Sequence, residues 1–229
     1  MKEYKFTEPG KSAGFLLFLI RVKIVILIAS IVQFLYDIRM YNNIALGHYA
    51  TEEAVDKAFD TSEPVSTLIS AAEILTYIML LIAFFIWQYR MAANTQLWKI
   101  NTTQKPHWGL WNFVIPVWSL IKPYTFMREL WNSTEYDPTD PAKWKQLPAP
   151  GCIKIWWALY LTGSALSYII FKIILLKKSE TLDDCIALSR WLIFGDIMNI
   201  CEYFALTAIV SGIICRQKIF QEKLTASVE

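Results

Sequence analysis

Four runs of apolar residues, each about as long as a bilayer is thick, constrain this chain more than any other feature. They cover residues 15–36, 65–87, 153–176 and 190–215. A helix rises about 1.5 Å per residue, so about 20 residues cross a hydrocarbon core about 30 Å thick. Backbone polar groups in lipid must bond internally, which favours helices. The sequence therefore predicts an all-α integral membrane protein with four transmembrane helices, organised as a single domain over residues 1–229.

The composition agrees with a membrane protein and argues against nucleic-acid binding. Hydrophobic residues make up 55% of the chain and charged residues 18%. Soluble domains average about 25% charged residues. The net charge of +2 is too small to indicate binding to nucleic acid. We therefore expect the chain to have membrane lipid, and no nucleic acid, as a partner.

The chemistry-bearing residues give no sign of a metal or cofactor site. The four cysteines form no C-x-x-C pair, and the two histidines, His48 and His107, are remote from all of them in the sequence. The chain also lacks a glycine-rich nucleotide loop, an H-E-x-x-H helix and a G-x-S-x-G turn. We expect no metal, no cofactor and no catalytic residues, so the chain is predicted not to be an enzyme.

The distribution of basic residues predicts the orientation. The N-terminal tail, the central loop and the C-terminal tail together carry thirteen Lys and Arg residues, and the two other loops carry five. By the positive-inside rule, both termini and the central loop are cytoplasmic. The first apolar run lacks a small-x-small cleavage site and is predicted to be a retained span. We expect a multi-pass protein of the bacterial cytoplasmic (inner) membrane.

The first loop, residues 37–63, is acidic and is predicted to lie on the outer side. Within it, Thr51 is placed to cap a short helix whose first turn is acidic, which the helix dipole favours. Pro64, shortly after Ser62, is predicted to begin the second span, because proline is well tolerated in the first helical turn.

The central segment, residues 107–133, has the apolar load of a span but is broken by Pro116 and Pro123. Its apolar part is too short to cross the bilayer. The charge count places both of its ends inside, so it is predicted to be a re-entrant hairpin or an interfacial helix that forms a wedge between spans two and three. Its second half has four residues at helical spacing on one face, opposite Arg128 and Glu129. These four are Tyr124, Met127, Leu130 and Trp131.

Three motifs, one within the central segment and one on either side of it, resemble those of a known family. They are W-x-Y-R-x-x-x-N (residues 87–94), I-P-x-x-x-L-x-K-P-Y-x-x-M-x-E-x-W (115–131) and W-W-A-L (156–159). The chain resembles, over about residues 65–215, a bacterial polytopic membrane family catalogued as a domain of unknown function. The resemblance implies a multi-span membrane protein and no known activity, and the first loop departs from it by being longer and more acidic. We expect a structural core formed by Arg90, Asn94, Trp111, Pro116, Lys122, Pro123 and Glu129.

Polar residues inside the predicted spans form a candidate intramembrane cluster. Glu73 and Asp196 should lie at a similar depth, about 10 Å below the outer surface. Asp196, Asn199 and Glu202 recur at helical spacing and share a face of the fourth span. Ionisable groups in spans are costly, so they mark either a pathway for protons or cations or structural ion pairs. Structural pairing is favoured, because Arg21 or Lys23 can pair with Glu202, and Lys172 with Glu73 or Asp196.

Two functions follow from these features. The favoured one is a structural or regulatory integral membrane protein that binds lipid or a partner protein, or that forms a homo-oligomer. Lys122, Arg128 and Arg90 are candidates for contact with anionic lipid head groups. The alternative is an oligomeric ion or small-solute channel or transporter lined by the Asp196, Asn199 and Glu202 face.

Overall fold

The structure is a computed structural model that describes residues 6–100, 102–103, 105–115, 117–137, 139–176 and 181–226. Within these ranges the chain is helical and has no β-strand, with one isolated bridge between Asp137 and Asp140. The α-helices are α1 (Pro9–Ala45), α2 (Glu52–Leu97), α3 (Trp108–Val114), α4 (Lys122–Asn132), α5 (Lys143–Gln146), α6 (Gly151–Leu176) and α7 (Leu182–Ala226). Short 3-10 helices cover Trp118–Leu120 and Ser133–Glu135.

Four of these helices are long and apolar enough to cross a membrane. The qualifying stretches are Ser12–Ala45, Glu52–Leu97, Gly151–Lys172 and Leu182–Ala226. They lie in α1, α2, α6 and α7 and contain the four apolar runs of the sequence, except that the third stretch ends at Lys172. The prediction of an all-α chain with four helices able to span a membrane is therefore confirmed, whereas the single-domain organisation stays a prediction.

The predicted first loop is wrong, because two helices occupy most of residues 37–63. The α1 helix continues to Ala45 and α2 begins at Glu52, so only residues 46–51 connect them. Thr51 does cap α2: its Oγ1 accepts a hydrogen bond from the Ala54 N–H at 3.2 Å. The helix that it caps is not short, however, since α2 continues through Pro64 to Leu97.

Side-chain contacts between α1 and α2 explain why the helix survives Pro64. Ser62 is buried, and its Oγ donates to Asp37 Oδ1 at 2.5 Å. Gln33 Nε2 donates to both Ser62 Oγ, at 2.8 Å, and Asp37 Oδ1, at 3.0 Å. This three-residue network fixes α2 against α1 two residues before the proline, so that losing one backbone hydrogen bond does not end the helix.

The central segment is broken into pieces, as its prolines predict. The α3 helix ends at Val114, a 3-10 turn follows at Trp118–Leu120, and α4 begins at Lys122. Pro123 lies in the first turn of α4, where a missing backbone N–H costs nothing. Pro116 lies outside the described residues. No continuous helix therefore crosses this part of the chain.

The chain divides into two compact units. Unit 1 comprises the described parts of Met1–Ile20, Met79–Ala158 and Phe204–Glu229, and unit 2 comprises Arg21–Ile78 and those of Leu159–Tyr203. Unit 1 thus contains both end regions of the chain together with the broken central segment. Its core includes fully buried side chains from four elements, namely Leu16, Trp87, Met127 and Ile213.

Candidate functional site

A cluster of buried and half-buried charged side chains lies in unit 2. Lys23 is only 6% exposed, and its Nζ donates to the backbone carbonyl of Glu73 at 3.3 Å. The carboxylates whose charges act on Lys23 are those of Glu73 and Asp196. Asp196 is 9% exposed and is hydrogen-bonded by the hydroxyl of Ser30. The fold therefore brings one cation and two acids from α1, α2 and α7 into one place.

Two oxygen atoms of this cluster lack a hydrogen-bond donor among the described residues. Glu73 Oε1 and Asp196 Oδ2 are both buried and unpartnered. Burying a carboxylate oxygen without a donor is costly, because the atom has given up its contacts with water. Each of these two atoms could accept a hydrogen bond from a donor that the described residues do not supply.

The other two predicted members of the intramembrane cluster lie near residues of α6. Asn199 is half-buried, and its Oδ1 lies 3.9 Å from the point where a Cβ would stand at Gly163 of α6. Glu202 is half-buried, and its charge acts on the hydroxyls of Tyr160 and Tyr203. The charge of Glu73 also acts on Tyr203, so the surroundings of Glu202 overlap those of Glu73.

The surroundings of Lys23 and Lys172 differ from the predicted pairings, and the predicted pairing of Arg21 with Glu202 stays a prediction. The acids that act on Lys23 are Glu73 and Asp196, in place of the expected Glu202. Lys172, expected beside one of the outer acids, has its Nζ 5.7 Å from the centre of the Tyr168 ring. Lys23 is thus the basic residue whose charge acts on both acids, because its four-carbon side chain extends from α1 toward them.

In unit 1, Asn94 forms a clasp between three parts of the chain. It is 1% exposed, and its Oδ1 accepts from the Thr7 N–H at 3.1 Å. Its Nδ2 donates to the Thr7 carbonyl at 3.0 Å and to Gln217 Oε1 at 3.1 Å. Gln217 is also buried and donates to the carbonyl of Met91 at 3.1 Å. Asn94 therefore joins the N-terminal segment, α2 and α7 through satisfied polar contacts.

Contrary to the sequence prediction, Glu129 does not lie on an exposed polar face of α4. It is 8% exposed and accepts hydrogen bonds from both the N–H, at 3.1 Å, and the hydroxyl of Thr103. The sequence placed it opposite the apolar face, yet it is buried with Met127 and Leu130. The reason is tertiary: the chain before α3 passes over α4 and supplies two donors to the carboxylate.

The remaining residues of the expected core differ in their burial. Pro123 is buried in α4, whereas Trp111 is exposed on α3. Lys122 is exposed, with its Nζ 5.9 Å above the Trp118 ring. Arg90 is half-buried on α2 and lines two apolar grooves. Pro116 lies outside the described residues, so only part of this set is a packed core.

One comparison with known proteins identifies the family. The model of the family described as Domain of unknown function (DUF4328) matches residues 51–214. The chain belongs to this family. The predicted resemblance is thereby confirmed, although the DUF4328 match begins at residue 51 instead of 65 and so includes the start of α2. No curated protein and no solved structure matches the chain.

Sequence reasoning missed several residues that complete these sites in the DUF4328 fold. One of them is Gln217, the partner of Asn94. A signal in the sequence could have found it, because its spacing places it on one buried helical face with Val210, Ile213 and Phe220. Ser30 beside Asp196 gives no such signal. Among the described residues, no group of three or more His, Cys, Asp and Glu side chains is arranged to hold a metal ion.

Proposed function

We propose that this DUF4328 protein is a structural or regulatory component of the bacterial cytoplasmic membrane, and that its central segment binds lipid at the cytoplasmic surface. Both termini and the central segment are cytoplasmic in this proposal, as the basic residues predict. The observation that carries it is an apolar tip at residues 117–121, within unit 1. Val117 is 74% exposed and Ile121 is 62% exposed, with Leu120 and Trp118 exposed between them.

Packed residues flank the tip on both sides, which favours a wedge in the membrane surface over a loose loop. Phe113, just before it, packs edge-on against Phe84 and Phe85 of α2, with ring centres 5.8 and 5.6 Å apart. Directly after it, α4 is anchored by buried residues that include Met127 and Leu130. An exposed apolar patch on a fixed support marks an interaction surface, and a tryptophan and a lysine beside it suit the head-group level.

Site-specific labelling in lipid nanodiscs tests this arrangement. The four free cysteines, Cys152, Cys185, Cys201 and Cys215, are first replaced by serine. A single cysteine is then introduced as Leu120→Cys or as Lys145→Cys. We expect a water-soluble maleimide to label Lys145→Cys rapidly and Leu120→Cys at least about tenfold more slowly. In intact cells, Lys145→Cys should react only after lysis. Equal labelling rates in nanodiscs would contradict the wedge, and labelling of intact cells would contradict the orientation.

A second function is favoured by the unpartnered oxygens of Glu73 and Asp196. In this alternative, an oligomer conducts protons or small cations along the α7 face that carries Asp196, Asn199 and Glu202. Ion flux into proteoliposomes that disappears on Asp196→Asn would favour the conduit. Absence of flux from a folded protein that retains bound lipid would favour the structural component.

A further inference from the structure

Two apolar grooves on unit 1 meet at a single arginine. The first has a volume of ≈ 400 Å³, lies between α1 and α2, and is lined by residues that include Phe15 and Ile82. The second has a volume of ≈ 350 Å³ and is lined by residues of α2 and α3 that include Leu110 and Trp111. Ile86 and Arg90 line both grooves, so the two grooves adjoin at these residues.

Arg90 has no counter-ion among the residues that the structure describes. It is half-buried, and in the part of the chain that the structure describes it has neither an acidic partner nor a hydrogen bond. A guanidinium group has five N–H donors in a planar fork that fits phosphate and carboxylate oxygens. A half-buried arginine with no hydrogen bond or ion pair to the described residues is therefore available for an anion from outside the chain.

A second polar group at the same place also lacks a partner. Ser12 lines the first groove together with Arg90, and its Oγ is buried without a hydrogen bond to any described residue. Buried hydroxyl groups in proteins are nearly always bonded. On the other side of Arg90, His107 lines the second groove and supplies a further polar edge. The apolar grooves thus converge on a small group of donors.

We infer that the protein holds one anionic phospholipid at this site. Its phosphate binds Arg90 and Ser12, and its two acyl chains lie in the two grooves on either side of Ile86. The depth is appropriate, because Arg90 follows the apolar run that ends at residue 87 and Ser12 precedes the run that begins at residue 15, so both belong at the head-group level. Charge complementarity selects an anionic lipid, and the divided groove selects a two-chain lipid over a free phosphate ion. The inference rests on the proposed lipid-binding function and assigns it a site and a ligand class.

Lipid retention by the purified full-length protein tests the site. The protein is extracted in a mild detergent, exchanged into mixed micelles containing phosphatidylglycerol, and examined by native mass spectrometry for bound lipid. We expect one retained phosphatidylglycerol in the unaltered protein and a loss of at least about tenfold in Arg90→Gln. Ile86→Trp, which leaves the guanidinium group in place but fills both grooves, should also reduce retention. Lys218→Gln is the matched control, since it removes one exposed positive charge that lines neither groove.

Each outcome decides between the site and the broader function. Retention by Arg90→Gln equal to that of the unaltered protein overturns the site but leaves lipid binding intact. An equal loss in Lys218→Gln, or equal retention of phosphatidylcholine, also overturns it, because surface charge or the lipid chains alone would then explain the binding. If the unaltered protein, verified as folded, retains no lipid, the lipid-binding function fails together with the site.

Discussion

Gly212 provides the sharpest test of how the broken segment is held, because a tryptophan occupies the space that a side chain would need. A Cβ added at this position of α7 would overlap Cη2 and Cζ3 of Trp131 in α4. The ring has little freedom to move: the Arg216 guanidinium lies 4.8 Å from its centre, and Arg216 Nη1 is bonded to Glu135 Oε1 at 2.5 Å. Gly212→Ala therefore requires the ring and its stacked cation to shift together.

Gly195→Ala is the matched control for this substitution. It lies in the same helix, and its added Cβ would meet nothing closer than Ile170 Cδ1 at 4.0 Å. Both changes gain the same intrinsic helix propensity, about 1 kcal/mol at most, so that term cancels when the two variants are compared. The remaining difference is overpacking, which costs about 1–3 kcal/mol. We expect Gly212→Ala to be less stable than Gly195→Ala by about that amount.

Reversible unfolding in mixed micelles measures the difference, and a double-mutant cycle identifies its cause. Trp131→Leu removes the ring, so adding it to Gly212→Ala should cost less than adding it to the unaltered chain, by about 1–2 kcal/mol of coupling. Equal stability of the two alanine variants would refute the proposed contact. A strictly additive cycle would show that any loss arises elsewhere than at the Trp131 ring.

Two further substitutions address the buried polar contacts. Asn94→Leu should lower the free energy of unfolding by about 2–4 kcal/mol, because it leaves the Thr7 backbone and Gln217 Oε1 without their partner. Limited proteolysis should then remove the N-terminal segment faster. An unchanged digestion pattern would contradict the clasp. Lys23→Met should cost about 1–3 kcal/mol, because it removes the hydrogen bond to the Glu73 carbonyl and the charge that acts on Asp196, and adding Asp196→Asn should restore part of this. A destabilisation unaffected by Asp196→Asn would show that Lys23 does not act on that acid.

The spans could be predicted from the sequence, but their ends could not. Twenty apolar residues require a helix in lipid, whatever lies around them. The polar residues that extend α2 back to Glu52 and α7 on to Ala226 are under no such requirement. Whether they continue a helix depends on contacts such as that between Ser62 and Asp37, which link positions far apart in the chain.

The proximity of Glu73 and Asp196 could be predicted from the sequence, but their basic neighbour could not. Helix rise alone indicates that Glu73 and Asp196 lie at one level, and the fold brings both to Lys23. The face of α1 that turns toward these two acids depends on how the helices rotate and cross. The sequence does not say which of the four helices are neighbours, so it does not determine that face. The same limit applies to Glu129, whose burial depends on a loop residue, Thr103, that no periodic pattern connects to α4.

The clasp at Asn94 also constrains the order in which the molecule can mature. Its bond to Gln217 joins residues 123 positions apart, and its bonds to Thr7 join residues 87 positions apart. While α7 is still being synthesised, Asn94 and Met91 lack the amide that completes them, however well the earlier helices are inserted. Unit 1 is therefore a product of high contact order that closes only after translation of its final helix. Until then, the Asn94 side chain lacks its Gln217 partner, so this end of α2 is not yet fixed to α7.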